Sequence, residues 1–257
     1  MSEREVRWTH MTPADLDAAI EHLPLALVPC GSLEWHGPHL AAGCDYLRGE
    51  ALCMAIAQRL DGGVVLPALY TTAPGFCNWR GSISFTPGLV KQLAAEMYRE
   101  LDKCGFRYAL MLLSHAGAMQ DESFREPAHE YMTHSDLQII VKSGPSSRDP
   151  DVGLGGGHAQ ADEAAELFAA RPEAVWPGRY DPRDTLLPKY EGCSPELYCG
   201  GLSEQHHEAV RRFMAREHYE WQEDLARVVT PAAAIRLFEA TCDALANELR
   251  PLVTGPM

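Results

Sequence analysis

Residues 25–45 read LALVPCGSLEWHGPHLAAGCD and join an apolar segment to a polar, glycine-containing loop. The segment from Leu25 to Pro29 predicts a buried strand, because five apolar residues follow one another without a charge. Glu34 and His36 lie two positions apart in the loop, so on extended backbone their side chains project to the same side. A carboxylate and an imidazole in this arrangement are a common ligand pair for zinc or manganese. A solvated turn with a hydrogen-bonded histidine is the commoner explanation for Glu-x-His by itself.

Strand-like segments recur along the chain and alternate with amphipathic stretches. The further strands are predicted at Val64 to Leu69, Ala109 to Leu113 and Leu137 to Val141. Helices are predicted to begin after Thr12 and after Thr86, the second running to about Cys104, and to cover Arg48 to Leu60, Gln120 to His134, His158 to Ala170 and Pro231 to Leu249. This alternation predicts one α/β domain over residues 1–257, built around a mainly parallel sheet.

Bulk composition excludes some classes of function. The chain has 257 residues, of which 46% are hydrophobic and 23% are charged, as in an ordinary globular protein. A formal net charge of −14 argues against binding to a phosphate backbone, so no nucleic-acid partner is expected. Neither an export signal nor an apolar run of membrane-spanning length is apparent, so we expect a cytoplasmic protein without a membrane partner. The eight cysteines lack CxxC spacing, which favours reduced, packed thiols.

Two more polar clusters follow later in the chain. The first, Ser114-His115-Ala116-Gly117, comes directly after a predicted strand, where open α/β sheets bind ligands. The second runs from Gly157-His158 to Asp162-Glu163 and opens a predicted helix. On the residues alone, the acidic groups at 162, 163 and 166 are typical of a first helical turn, favoured by the helix dipole. Glu166 is expected to be an exposed helix glutamate.

The three clusters together resemble the signature of the creatininase family. The first matches Gly-Ser-x-Glu-x-His-Gly-Pro-His-Leu followed by Gly-x-Asp, which places Asp45 on the aspartate. His115 matches the histidine of a Gly-Asn-x-His-Gly-Gly-Asn loop, although Leu113, Ala116 and Ala118 depart from that pattern. The third resembles His-Ala-Gly-Glu-x-Glu-Thr-Ser, and the unbroken interval from His158 to Pro172 selects Glu163 as the matching glutamate. The resemblance spans roughly residues 5–176.

The resemblance implies a fold, a site and an activity. The fold would be a three-layer α/β/α sandwich, and the assembly a homo-oligomer, with a hexamer common in the family. Two divalent cations per chain, zinc first and manganese or iron as alternatives, would be held by Glu34, His36, Asp45, His115 and Glu163, with Asp45 bridging them. A bridging hydroxide would attack the carbonyl carbon of a small cyclic amide or formamide, and His158, protonated near neutral pH, would donate to the leaving nitrogen.

Other interpretations stay open from the sequence. Members of the same family open cyclic ketones or sugar-derived dicarbonyls, and a non-enzymatic metal-binding assembly protein would also retain the scaffold. A nicotinamide-dependent reductase is excluded, because no GxGxxG follows the first strand. Trp79 and Arg80 lie where the family has a substrate-lining loop, although a surface Trp-Arg pair is as common. The aperiodic region from Trp176 to about Gly201 predicts a surface loop, and its aromatic continuation to Trp221 favours an oligomer contact.

Overall fold

The computed structural model of the chain describes residues 4–73, 81–115, 117, 119–143, 158–159, 161–180, 226 and 228–254. Within them lie the strands β1 Leu25–Gly31, β2 Val64–Val65, β3 Leu69–Tyr70, β4 Tyr108–Leu113 and β5 Gln138–Ser143. The helices are α1 Pro13–His22, α2 Cys44–Leu60, α3 Pro87–Lys103, α4 Gln120–Tyr131, α5 Ala161–Ala170 and α6 Pro231–Thr254. Short 3-10 turns occupy Trp8–His10, Pro172–Ala174 and Pro177–Arg179.

The sheet is parallel in every pairing between these strands. β1 pairs with β4 on one side and with both β2 and β3 on the other, and β5 pairs with the outer side of β4. All seven residues of β1 are buried, which explains why the strand appears in the sequence as a continuous apolar run. The prediction of a mainly parallel sheet is confirmed.

Alternation along β1 divides the core into two layers. Leu25 and Leu27 belong to a cluster with α2 and α6, whereas Ala26, Val28 and Cys30 belong to a cluster with α3 and α4. Successive strand side chains point to opposite faces, so helices cover the sheet on both sides. The three-layer α/β/α architecture is therefore confirmed.

The predicted helix starts at Thr12 and Thr86 are also confirmed, since each threonine side chain accepts a hydrogen bond from the backbone three residues later. Two other boundaries differ from the prediction. α2 begins at Cys44 rather than Arg48, so its polar first turn is helical. α5 begins at Ala161 rather than His158, because Ala159 has a φ of 57°, which a right-handed helix cannot include.

Further differences concern one predicted strand and the ends of the helices α4 and α6. The predicted strand from Val64 to Leu69 is two short strands, because Pro67 between them has no backbone N–H to pair. α4 ends at Tyr131, three residues before the predicted end, and α6 continues past the predicted Leu249. No helix in the described ranges is long and apolar enough to cross a membrane. Most of the predicted loop from Trp176 to Gly201 lies outside those ranges.

Candidate metal centre

Five side chains predicted as ligands meet at the carboxyl edge of the sheet. They come from four places in the chain: the loop after β1, the first turn of α2, the end of β4 and the first turn of α5. All of them are buried, with exposed fractions of 9% or less: Glu34, His36, Asp45, His115 and Glu163. Ligands of this kind, drawn from separate segments, are what a metal site needs to be held rigidly.

Asp45 lies at the centre, and its two carboxylate oxygens face different partners. Oδ2 accepts a hydrogen bond from the Ser32 hydroxyl at 2.6 Å and lies 3.3 Å from Nδ1 of His115. Oδ1 lies 3.4 Å from Nε2 of His36. Oε2 of Glu34 is 3.0 Å from the same His115 nitrogen. Glu34, Asp45 and His115 form what we call the first donor group, whose ligand atoms all lie within 4.8 Å of one another.

The second donor group consists of His36, Asp45 and Glu163, and the thiol of Cys44 lies within the same 4.8 Å limit. Oε2 of Glu163 is 3.6 Å from Nε2 of His36 and accepts a 2.7 Å hydrogen bond from the backbone N–H of Ala159. Nδ1 of His36 lies 3.0 Å from the backbone oxygen of Glu34. If Nδ1 donates there, Nε2 keeps the lone pair that a cation requires.

Close backbone approach brings Asp45 to the end of the sheet. A Cβ added to Gly31, the last residue of β1, would lie 2.5 Å from the backbone N of Tyr46 and 2.6 Å from the backbone C of Asp45. The Ser114 hydroxyl, at the end of β4, donates to the backbone oxygen of Asp45 at 2.8 Å. The first turn of α2 is thus held against the ends of β1 and β4, the two strands that precede Glu34 and His115.

The electrostatic field of the site favours bound positive charge. Burial by itself would lower the pKa of His36 and His115, but the surrounding carboxylates raise it to about 9 and about 10 respectively. Burial would raise the pKa of Glu34, yet His115, His158 and His36 lower it to about 2. Carboxylates that stabilise protons on imidazoles also stabilise a divalent cation in their place.

Buried atoms without partners test whether these residues fit a metal. Nε2 of His36 and Oδ1 of Asp45 lie 3.4 Å apart, and within the described ranges neither makes a hydrogen bond of ordinary geometry. Buried polar atoms are ordinarily paired, and an unpaired one requires an explanation such as an ion. Nitrogen and oxygen donors at this density suit zinc, manganese or iron. The donor set therefore fits a divalent metal.

Arg48 is a central member of the site that the sequence interpretation missed. Its guanidinium is 1% exposed, donates to the backbone oxygen of Ser114 at 2.7 Å, and lies 3.2 Å from Oε1 of Glu163 and 3.7 Å from Oδ1 of Asp45. A second nitrogen lies 3.5 Å from Oε2 of Glu166. Its position one turn after Asp45 on α2 was the only available sequence signal.

The expectation that Glu166 is an exposed helix glutamate is wrong. Glu166 is 1% exposed, and besides its ion pair with Arg48 it accepts a 2.6 Å hydrogen bond from the hydroxyl of Thr241 on α6. The side of α5 that carries this residue is covered by α2 and α6, so the acidic turn is not a solvated one. Glu166 consequently belongs to the buried charge network around the second donor group.

His158 lies at the edge of the site. Its Nε2 is 2.5 Å from the backbone oxygen of Trp35, its Nδ1 is 3.6 Å from Oε2 of Glu34, and its ring centroid is 4.2 Å from that of His36. Burial and the positive charge of His36 lower the pKa of His158 to about 3. The expectation of a protonated His158 near neutral pH is therefore not met in this arrangement. Trp79 and Arg80 lie outside the described residues.

Comparison with known proteins points to one family. The family model described as "Creatininase: Creatinine amidohydrolase" matches residues 9–248. The creatinine amidohydrolase of Pseudomonas putida is 27% identical over 95 residues, which are 35% of this chain and 36% of that protein. The aligned part thus spans about a third of that curated relative.

Solved structures agree in fold over nearly the whole chain. The crystal structure of a creatinine amidohydrolase (creatininase) has a TM-score of 0.73 at 19% identity, covering 98% of this chain and 100% of that one. A structure described as "Creatininase Mn" has a TM-score of 0.71 at 20% identity, with the same coverage of both chains. At this level of identity the likeness establishes the α/β fold.

Proposed function

The chain belongs to the creatininase family of metal-dependent hydrolases, and from this premise we propose that it hydrolyses a C–N bond of a small cyclic amide or formamide at a dinuclear metal site. The observation that carries the proposal is the position of Asp45. One of its carboxylate oxygens faces His115 and the other faces His36, so one side chain is shared by two donor groups. A bridging carboxylate is the feature that distinguishes a two-metal site from two unrelated ones.

The buried charge supports two divalent cations rather than one. Four carboxylates lie together with a single guanidinium in and beside the donor groups: Glu34, Asp45, Glu163, Glu166 and Arg48. With a cation bound, so that His36 and His115 give up the protons that they hold at raised pKa and all four carboxylates are ionised, this set has an excess of three negative charges in a region from which water is largely excluded. Uncompensated buried charge is costly, and one divalent cation would leave it incompletely balanced.

Two cations in this position would lower the pKa of a shared water toward neutrality and polarise a substrate carbonyl. The contribution of His158 follows from its contacts. Its Nε2 faces the backbone oxygen of Trp35, so a hydrogen on Nε2 leaves the lone pair on Nδ1, the nitrogen that faces the site. A neutral imidazole held in this tautomer can accept a hydrogen bond at Nδ1 from the attacking water and so orient it toward the carbonyl. No serine or cysteine nucleophile is required.

Elemental analysis of protein purified without added metal or chelator tests the metal site. We expect two equivalents of zinc, manganese or iron per chain, and zero or one equivalent would contradict the dinuclear proposal. Turnover should then be measured with creatinine, an N-formyl compound, a cyclic ketone and a sugar-derived dicarbonyl, before and after chelation. If only the cyclic ketone or the sugar-derived dicarbonyl is hydrolysed, the proposed amide substrate would be replaced by a ketone or dicarbonyl substrate at the same site.

If two metals are bound and none of these compounds is turned over, the result would instead favour a non-enzymatic metal-binding role.

We also propose that Trp79 and Arg80 contact the substrate. Substitution of each with alanine tests this, and we expect a rise in KM without loss of metal. Assembly into a homo-oligomer, with a hexamer as the expected form, is a further proposal. A monomeric mass by light scattering at micromolar concentration would contradict it.

A further inference from the structure

Arg48 gives the two donor groups different electrostatic surroundings. One of its terminal nitrogens lies 3.2 Å from Oε1 of Glu163 and 3.7 Å from Oδ1 of Asp45. Glu163 belongs to the second donor group, and Oδ1 is the Asp45 oxygen that faces His36 of that group. The other oxygen of Asp45, which faces the first group, is instead occupied by the Ser32 hydroxyl. The positive charge of the guanidinium is thus applied to one side of the bridging carboxylate.

The guanidinium is held in this position by contacts at both of its terminal nitrogens. It donates to the backbone oxygen of Ser114, at the end of β4, and its other nitrogen faces Glu166, which Thr241 of α6 orients by a hydrogen bond. Because Arg48 is 1% exposed, it cannot swing into solvent when a cation approaches. A fixed positive charge of this kind must repel any cation bound to Glu163 and Asp45 Oδ1.

We propose that Arg48 makes the two metal positions unequal, so that the first donor group fills before the second and the second releases its cation more readily. This inference rests on the proposed dinuclear site and assigns Arg48 and Glu166 as positioning residues that set the order of loading. In a buried site, where charges are weakly screened, a nearby guanidinium weakens binding of a divalent cation by about tenfold or more. Glu166 opposes this effect only in part, because it contacts one terminal nitrogen of the guanidinium while Glu163 contacts the other.

The experiment is a calorimetric titration of chelator-treated protein with Mn²⁺ alone. Wild-type protein should show two binding steps whose dissociation constants differ by about tenfold or more. Arg48→Met combined with Glu166→Gln removes both charges without leaving either one buried alone, and it should tighten the weaker step and bring the two constants to within about threefold. Arg48→Lys keeps the charge and should preserve the separation.

Glu166→Gln by itself provides the opposite test. The glutamine can still accept from Thr241, but the charge of Arg48 is no longer offset, so the weaker step should weaken by about threefold to tenfold while the tighter step stays unchanged. A merely structural role would shift the double and single variants in the same direction. Arg59→Met is the matched control, since Arg59 lies on the same helix and pairs with Glu239 and Asp243, away from the site.

The outcomes distinguish failure of this proposal from failure of the proposed dinuclear site. Two wild-type steps of equal affinity, or an unchanged separation in the double variant, would overturn the role of Arg48 and leave the dinuclear site standing. Fewer than two Mn²⁺ ions bound by the wild type would overturn the dinuclear site and the loading order together. If the double variant does not fold, Glu166→Gln by itself decides the question. Weakening of the weaker Mn²⁺ step would support the role of Arg48, and an unchanged or tighter step would overturn it.

Discussion

Replacing Gly31 with alanine should damage the metal site although Gly31 is not a ligand. The added methyl group would lie 2.5 and 2.6 Å from backbone atoms of Tyr46 and 2.6 Å from the backbone of Asp45. Ordinary contact begins near 3.5 Å, so the first turn of α2 must move by roughly 0.9 Å relative to β1. No side chain can rotate away to relieve the contact, because all three nearest atoms belong to the backbone.

This displacement has two measurable consequences. Overpacking of a close contact costs about 1 to 3 kcal/mol of unfolding free energy. Because functional constellations tolerate only about 0.5 Å of misplacement, movement of Asp45, the proposed bridging ligand, should weaken Mn²⁺ binding by roughly 10- to 100-fold. Urea denaturation followed by circular dichroism gives the first quantity, and titration of metal-stripped protein with Mn²⁺ gives the second.

Gly43→Ala is the matched control at the other end of the same turn. A Cβ at Gly43 would meet side-chain atoms of Leu33 and Leu47 at 3.7 to 3.9 Å, which is ordinary contact, and its φ of −87° suits alanine. Because the residue caps α2, the substitution should cost up to about 1 kcal/mol, but metal affinity should stay at the wild-type value. Mn²⁺ affinity within twofold of wild type in Gly31→Ala would refute the argument that this contact positions Asp45.

Further predictions follow from the same site and from the core. His36→Ala and His115→Ala should each lose at least one cation and all turnover while keeping the wild-type circular dichroism spectrum; wild-type turnover in either would refute their assignment. Glu163→Gln should retain at most one tightly bound metal by elemental analysis, and retention of two would exclude Glu163 as a ligand. In metal-stripped protein the folded-state pKa values of His36 and His115, about 9 and about 10, lie above the ordinary 6.5. Protonation of these histidines therefore stabilises the folded state fully below pH 6.5, and this stabilisation is lost as the pH rises to about 10. Melting temperatures measured across this range should fall with rising pH, and a flat profile would contradict the prediction. Tyr98→Phe removes the buried 2.8 Å hydrogen bond to the backbone oxygen of Phe124 and should cost about 1 to 3 kcal/mol by urea denaturation, whereas a change under 0.3 kcal/mol would show that this bond contributes little.

The sequence pattern by itself predicted the main strands, the helices and a mainly parallel sheet, whereas the layer order and most of the site came from the resemblance. The continuous apolar run of β1 predicted a strand buried on both faces, and the threonine-proline pairs predicted two helix starts. The spacing of Glu34 and His36 suggested a ligand pair, but only the resemblance favoured that interpretation over a solvated turn and added Asp45 to it. His115 and Glu163 required the resemblance, because nothing in their own neighbourhoods indicates which distant side chains they meet.

Only the tertiary structure decided how Arg48 and Glu166 act. Both are charged residues on amphipathic helices, and such residues ordinarily face solvent, which is why the sequence predicted an exposed Glu166. The packing of α2, α5 and α6 against one another buries the pair beside the candidate metal ligands and orients Glu166 through Thr241. Periodicity along one helix predicts which residues share a face, but residues far away in the chain determine which charges pack against that face. Burial then reduces the screening of the Arg48–Glu166 pair, so its charges act more strongly on their neighbours than those of an exposed pair would.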